Sequence, residues 1–311
     1  MEGVTTAALV AAADAAGMRF PDHVLDQVVA ALDAGKHIIL TGPPGTGKTT
    51  LAYLTAEVAQ AQMLCTGYLP TTATTEWTTF ETIGGLQPSA DGLLFRPGLF
   101  VEAIQSGRWL IIDELNRSNF DRAFSQLFTV LSGQAVVLPF KRKGQPHPLA
   151  IVPSGVTAPP DTDVIKLGSW WRIIATLNAF DKNLLFEMSY ALMRRFAFIE
   201  VGTPSEEAYR TLLAGPGELV TRLLSVRSLR DLGPAVYLDA ARYAARRLED
   251  GVSDSRVLYE VVYAYLLPQF EGVDDLAGRK FFDLVAAELE PAEQKELRRT
   301  VEATLGVDLA G

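Results

Sequence analysis

The densest chemistry in the chain lies between Ile38 and Leu51, IILTGPPGTGKTTL. Gly42, Gly47, Lys48 and Thr49 fill the fixed positions of a phosphate-binding loop, G-x-x-x-x-G-K-[ST], with Pro43, Pro44, Gly45 and Thr46 between them and Thr50 after them. Successive backbone N–H groups close around a phosphate only where no Cβ intrudes, which is the use of Gly45 and Gly47. The Lys48 ammonium is suited to the β and γ phosphates, and the Thr49 hydroxyl to Mg²⁺. A second group is Asp113-Glu114, directly after the apolar run Trp109 to Ile112. Asp113 is suited to holding Mg²⁺ through its water shell, and Glu114 to orienting and deprotonating an attacking water. Asn178 ends another apolar run, Trp171 to Leu177, where it would orient that water or the γ phosphate. Arg194 and Arg195 come just before Phe196, too far along to meet the same phosphate; alone they read as a solvated face, and within the ordered set as a pair reaching into a neighbouring subunit's site.

These residues need a sheet to hold them. Ile38 to Leu40 reads as a strand, and Lys48 to about Gln62 as a helix whose positive dipole end adds to the anion site. Trp109 to Ile112 has the character of a buried parallel strand with its carboxylates at the carboxyl edge, where open α/β sheets bind ligands. Trp171 to Leu177 and Phe196 to Val201 supply two more strands. Upstream, residues 5–16 are helical by propensity, and Phe20 to Ala34 continues as a helix with Pro21 near its start. The stretch from Gly67 to Thr82 reads as a threonine-rich strand and loop with Trp77 and Phe80 as packing anchors. Residues 83–96 read as a hairpin with Asp91-Gly92 at its turn, and Phe100 to Gln105 as a short helix. Phe124, Leu127, Phe128 and Leu131 share one face of a helix after Glu114. Residues 133–168, rich in proline and carrying Lys141, Arg142 and Lys143, read as an insertion, a hairpin with a loop. A short helix is expected around Met188 to Arg194.

After Thr203-Pro204 no segment reads as a core strand. Amphipathic helices are expected at 205–214, 216–225, 234–250, 254–267, 273–289 and 291–304. The fold class is therefore α/β, a parallel sheet sandwiched between helices, with an all-helical lid after it. The expected division is 1–203 for the nucleotide-binding domain, including the N-terminal helices and both insertions, and 204–311 for the lid.

Composition sets limits on function. The 311 residues are 48% hydrophobic, enough for a full core, and the net charge is -9. That acidic balance disfavours DNA binding through the overall field, so a DNA contact would have to be local, at Lys141 to Lys143. The single cysteine, Cys65, excludes an internal disulfide and fits a reducing compartment. No uninterrupted apolar stretch approaches a membrane span and no leader is recognisable, so a cytoplasmic protein without a membrane partner is expected.

The ordered set resembles the AAA+ ATPases, within them the dynein-related, MoxR-like and McrB-like group, over about residues 20–270. GPPGTGKTT looks like the Walker A motif, WLIIDELNR like Walker B with the group's Asn116 and Arg117, IIATLNAFD like sensor 1, and SYALMRRF like the segment carrying the arginine finger. The resemblance implies ATP hydrolysis with Mg²⁺ between subunits of a ring, as a homo-hexamer, with Arg195, and Arg194 second, acting in trans. It implies that the insertions at 83–96 and 133–168 project toward the pore. Three roles follow: a MoxR-like ATPase remodelling a protein partner such as one with a von Willebrand A domain; a McrB-like motor, using ATP or GTP, that drives a nuclease or other effector on DNA; and a nucleotide-gated assembly module with little turnover. The acidic balance favours the first, while DELNR is especially close to the McrB branch. Where related families carry the sensor 2 arginine, this chain has Gly233-Pro234-Ala235, with Arg230 three residues before the turn.

Overall fold

The computed structural model describes residues 3–90, 92–124, 127–178, 190–215 and 217–309. Contacts group the chain into two units, one of Met1–Gly42 with Lys48–Val201 and one of Pro43–Gly47 with Gly202–Gly311. In chain order the first holds α1 (Thr6–Ala15), α2 (Asp22–Asp33), β1 (His37–Gly42), α3 (Lys48–Ala61), β2 (Tyr68–Thr72), α4 (Thr79–Thr82), β3 (Gly84–Ser89) and β4 (Gly92–Pro97). It continues with α5 (Leu99–Gln105), β5 (Trp109–Asp113), α6 (Phe120–Phe124), α7 (Leu127–Leu131), β6 (Val136–Val137), β7 (Leu149–Pro153), β8 (Asp163–Leu167), β9 (Ile173–Asn178), α8 (Tyr190–Met193) and β10 (Phe196–Glu200).

Among the described residues the central sheet runs β10-β1-β9-β5-β2, with every neighbouring pair parallel. Parallel strands need crossovers, which put helices over both faces, and the side chains show it. Ile39, Leu110, Ile112, Ile173 and Ala175 pack on one side with Phe100, Val101 and Leu127. Ile38, Leu40, Ile111 and Ile174 pack on the other with Leu25, Val28 and Leu51. This is the three-layered α/β fold with a parallel sheet. Register sets the working edge: Gly42 of β1 lies opposite Asn178 of β9, and β5 ends at Asp113.

The first insertion is the expected hairpin, β3 paired antiparallel with β4, and the second departs from the sequence reading. Residues 133–168 form a small sheet, β6-β7-β8, in which β7 and β8 are parallel, where a hairpin with a loop was expected. Arg142, the middle of the basic cluster, is bound through Nε and Nη2 to the Asp163 carboxylate at the start of β8. Trp77 is buried and lies 5.9 Å from the Phe124 ring. Phe80 is 43% exposed, and its ring covers Gly85, where an added Cβ would come within 2.4 Å of it. The expected helix after Glu114 begins with a single 3₁₀ turn, Leu115–Arg117, and then forms α6 and α7. Phe124 and Leu127 are fully buried in one core, and Phe128 and Leu131 pack against it half-buried. Asp91 and Met188 lie outside the described residues.

The second unit contains α9 (Glu206–Leu212), a 3₁₀ run at Glu218–Ser228, α10 (Pro234–Glu249), α11 (Asp254–Val261), α12 (Asp275–Ala286) and α13 (Pro291–Leu305). Its core gathers Tyr209, Tyr237, Phe270 and Phe281, all fully buried. The expected helix at 254–267 ends as an α-helix at Val261, passes through a π turn at Val262–Leu266, and tightens to 3₁₀ at Leu267–Phe270, where Pro268 removes a backbone donor. Among the described residues no helix is long and apolar enough to cross a membrane.

Candidate functional site

The phosphate loop begins where β1 stops. Gly42, Gly45 and Gly47 all have positive φ, at 145°, 75° and 84°, so the turn demands residues without Cβ at these points. The Thr46 hydroxyl donates to the Pro43 carbonyl at 3.1 Å and closes the loop on itself. Lys48 opens α3 and is 6% exposed, with Nζ donating to the Gly42 carbonyl at 3.0 Å. Burial pushes its pKa down to about 8, against the pull of the Asp113 and Glu114 carboxylates. An ammonium this desolvated gains most from an anionic ligand.

Thr49 and the end of β5 meet directly. The Thr49 hydroxyl donates to Asp113 Oδ1 at 2.8 Å. The Thr176 hydroxyl, on β9, donates to the same oxygen, and the Glu114 N–H donates to Thr176 Oγ1 at 3.0 Å. Glu114 itself is left-handed, φ 52° and ψ 50°, a conformation that a residue with a Cβ holds only where its surroundings dictate it. Its carboxylate is bound by the Arg117 guanidinium at 2.7 Å, with side-chain exposures of 30% and 60%. An ion pair so open to solvent is worth roughly 0–1 kcal/mol, so Glu114 is held but easily released.

A divalent cation fits this corner. Among the described residues no three His, Cys, Asp or Glu side chains cluster as a dedicated metal site. A hydroxyl and a carboxylate converging beside a phosphate loop are instead the set Mg²⁺ uses when substrate phosphates and water complete its shell. Thr49 and Asp113 are the residues that would hold it, and bound there it would neutralise phosphate charge.

The structure therefore brings Gly42, Lys48, Thr49, Asp113, Glu114 and Asn178 to one edge of the sheet. Arg194 and Arg195 lie at the other edge, since Phe196 registers with His37 at the opposite end of β1. Five residues at about 3.3 Å each separate the two edges by about 17 Å, beyond the reach of one arginine side chain. Arg194 is exposed, and its carbonyl accepts from Lys36 Nζ at 2.8 Å. Arg195 is half-buried and donates through Nη2 to the Ser132 hydroxyl.

Two features were not singled out by sequence reasoning. Thr176 is one; it stands inside the apolar strand IIATLN, two residues before Asn178, with no local signal of its partners. The other is the Gly233 turn, which was noted only for its missing arginine. Within the second unit the Gly233 N–H donates to the Pro44 carbonyl at 3.1 Å and the Ala235 N–H to the Gly45 carbonyl at 3.2 Å. A Cβ on Gly233 would fall 2.3 Å from Gly45 C and Pro44 O, so only glycine permits this approach. Arg230 donates through Nη1 to the Gln269 carbonyl.

Comparison with known proteins bears on this geometry. The family model described as AAA domain (dynein-related subfamily) matches residues 37–196, which run from the start of β1 to the start of β10. The Type IV methyl-directed restriction enzyme EcoKMcrB subunit of Escherichia coli (strain K12) is 25% identical over 280 residues, covering 81% of this chain and 56% of that protein. Uncharacterized proteins of Staphylococcus aureus strains bovine RF122 / ET3-1 and USA300 are each 29% identical over 178 residues, 57% of this chain and 60% of theirs. The chain thus spans somewhat over half the length of the curated relatives it matches.

Proposed function

The chain belongs to the dynein-related subfamily of AAA domains, and from that premise we propose that it is a nucleoside-triphosphatase that works in a ring and drives a separate effector. The observation that carries this reading is the meeting of Thr49 with Asp113 at 2.8 Å beside the buried Lys48, with Glu114 next in the chain. On this reading Lys48 binds the β and γ phosphates, Thr49 and Asp113 hold Mg²⁺, Glu114 orients and deprotonates the attacking water, and Asn178 steadies it. Glu114 leaves Arg117 to do so. Arg195, with Arg194 beside it, completes the site of the next subunit, a role supported by its distance from its own phosphate loop.

Of the two motor roles, an effector acting on DNA is favoured over remodelling of a protein such as one with a von Willebrand A domain. What supports it is the likeness to the EcoKMcrB subunit, which runs over 81% of the chain. Asp163 already engages Arg142, the middle residue of the basic cluster, which supports placing the DNA contact on the effector. The test is turnover of ATP and of GTP against protein concentration, with Arg195→Ala and Glu114→Gln chains assayed singly and mixed. Activity per chain rises with concentration, each variant alone is nearly inactive, and the mixture regains part of the activity, because some interfaces pair an intact Glu114 with an intact Arg195. An Arg195→Ala protein with full turnover would overturn the shared site.

A further inference from the structure

We infer that Thr176 is a positioning residue that fixes the geometry of the Asp113-Glu114 pair, an inference that rests on the nucleoside-triphosphatase reading above. The backbone ladder between β5 and β9 pairs Leu110 to Ile112 with Ile173 to Ala175 and then stops. One residue farther on, the Thr176 side chain takes over from the ladder. Its O–H is donated to Asp113 Oδ1, and its oxygen accepts the Glu114 N–H at 3.0 Å. A hydroxyl has one proton to donate, so the donor capacity of Thr176 is committed to the carboxylate. Thr176 itself is buried, at 2% exposure, so its hydroxyl has these two partners in place of bulk water.

Two consequences follow for the site. Glu114 is left-handed at φ 52°, and the direction of its carboxylate depends on that conformation. The bond to Thr176 holds the Glu114 N–H and so favours this conformation over an ordinary strand continuation. Asp113 Oδ1 also accepts from two hydroxyls at once, those of Thr49 and Thr176. Thr49 is the hydroxyl that Mg²⁺ would recruit, which leaves Thr176 to keep Asp113 oriented. Thr176 touches neither phosphate nor water on this account; it acts through its two neighbours.

The test compares Thr176→Val, which keeps the β-branched shape and loses the hydroxyl, with Thr176→Ser, which keeps the hydroxyl. A fluorescent, non-hydrolysable ATP analogue is titrated without and with Mg²⁺, turnover is measured, and amide exchange is followed in a peptide covering residues 113–117 of the nucleotide-free protein. Thr176→Val should bind the analogue like the parent in the absence of Mg²⁺. It should need more Mg²⁺ to reach full affinity, turn over roughly 10–100-fold more slowly, and exchange the Glu114 amide faster. Thr176→Ser should restore all three. If Thr176→Val loses its fold, Thr176→Ala carries the same comparison. A Thr176→Val chain with parental turnover and exchange overturns the inference, as does a folded Thr176→Ser chain as impaired as Thr176→Val. A parent that turns over no nucleoside triphosphate refutes the underlying reading instead, and the inference with it.

Discussion

Lys48 should make nucleotide binding depend on pH between about 7 and 9. Its pKa lies near 8 because the ammonium is buried at 6% exposure, against an ordinary value of 10.5. At about pH 7 roughly nine in ten Lys48 side chains carry the charge; at about pH 9 roughly one in eleven does. If the phosphates hold Lys48 charged in the complex, affinity falls about tenfold between those pH values, and binding near pH 8.5 takes up about 0.8 of a proton. The matched stability effect has a definite sign. The folded pKa is below the unfolded one, so the cost of burying the ammonium is fully present below about pH 8 and is relieved as pH rises toward 10.5. That cost corresponds to about 3 kcal/mol, so nucleotide-free Lys48→Met should be more stable than the parent near neutral pH by up to that amount, while binding nucleotide poorly. The assay is a fluorescent-nucleotide titration at fixed salt and Mg²⁺, with calorimetry in buffers of different ionisation enthalpy and urea unfolding of the variant. Lys48→Arg, which stays charged, should bind with little pH dependence over the same range. Equal parental affinity at both ends of the range, or the same fall in Lys48→Arg, would refute the reasoning.

Two other perturbations follow from the packing. Gly233→Ala places a methyl 2.3 Å from backbone atoms of Pro44 and Gly45, so it should lower nucleotide affinity, with a smaller loss of thermal stability, since the loop must shift to admit it; unchanged affinity would show that the turn does not brace the phosphate loop. Arg142→Ala strips the Asp163 carboxylate of its bidentate partner, which should loosen residues 133–168 and raise protease cleavage there, while Lys141→Ala leaves that segment intact, as limited proteolysis will report.

The parts of the molecule legible in the sequence were those fixed by neighbouring residues. The phosphate loop, its strand and its helix are one continuous stretch, and the four apolar residues before Asp113 announce a strand buried on both faces. Asn178 was legible for the same reason. Pairings between distant residues were not. The partners of Thr176 lie 62 and 63 residues away, and nothing local tells its hydroxyl from that of any strand threonine. The parallel pairing of β7 with β8 was hidden because each strand is only five residues long, too short to show a period, and prolines crowd the stretch around them. Arg142 read only as one of three adjacent basic residues because Asp163 is distant in sequence, although the two bind in space. The Gly233 turn was judged by the arginine it lacks, when its backbone N–H groups and missing Cβ are what meet the Pro44 and Gly45 carbonyls.

The central claim is that Glu114 activates water at a nucleotide held by Lys48, Thr49 and Asp113. It is tested most directly by measuring phosphate release from ATP and GTP for the parent and for Glu114→Gln, at concentrations that permit assembly, with nucleotide affinity determined on the same samples. The account predicts a parent that hydrolyses at least one of the two, and a variant that binds it equally well and turns over slower by about 10² or more. A parent without hydrolysis, or a Glu114→Gln chain that hydrolyses at the parental rate, would contradict it.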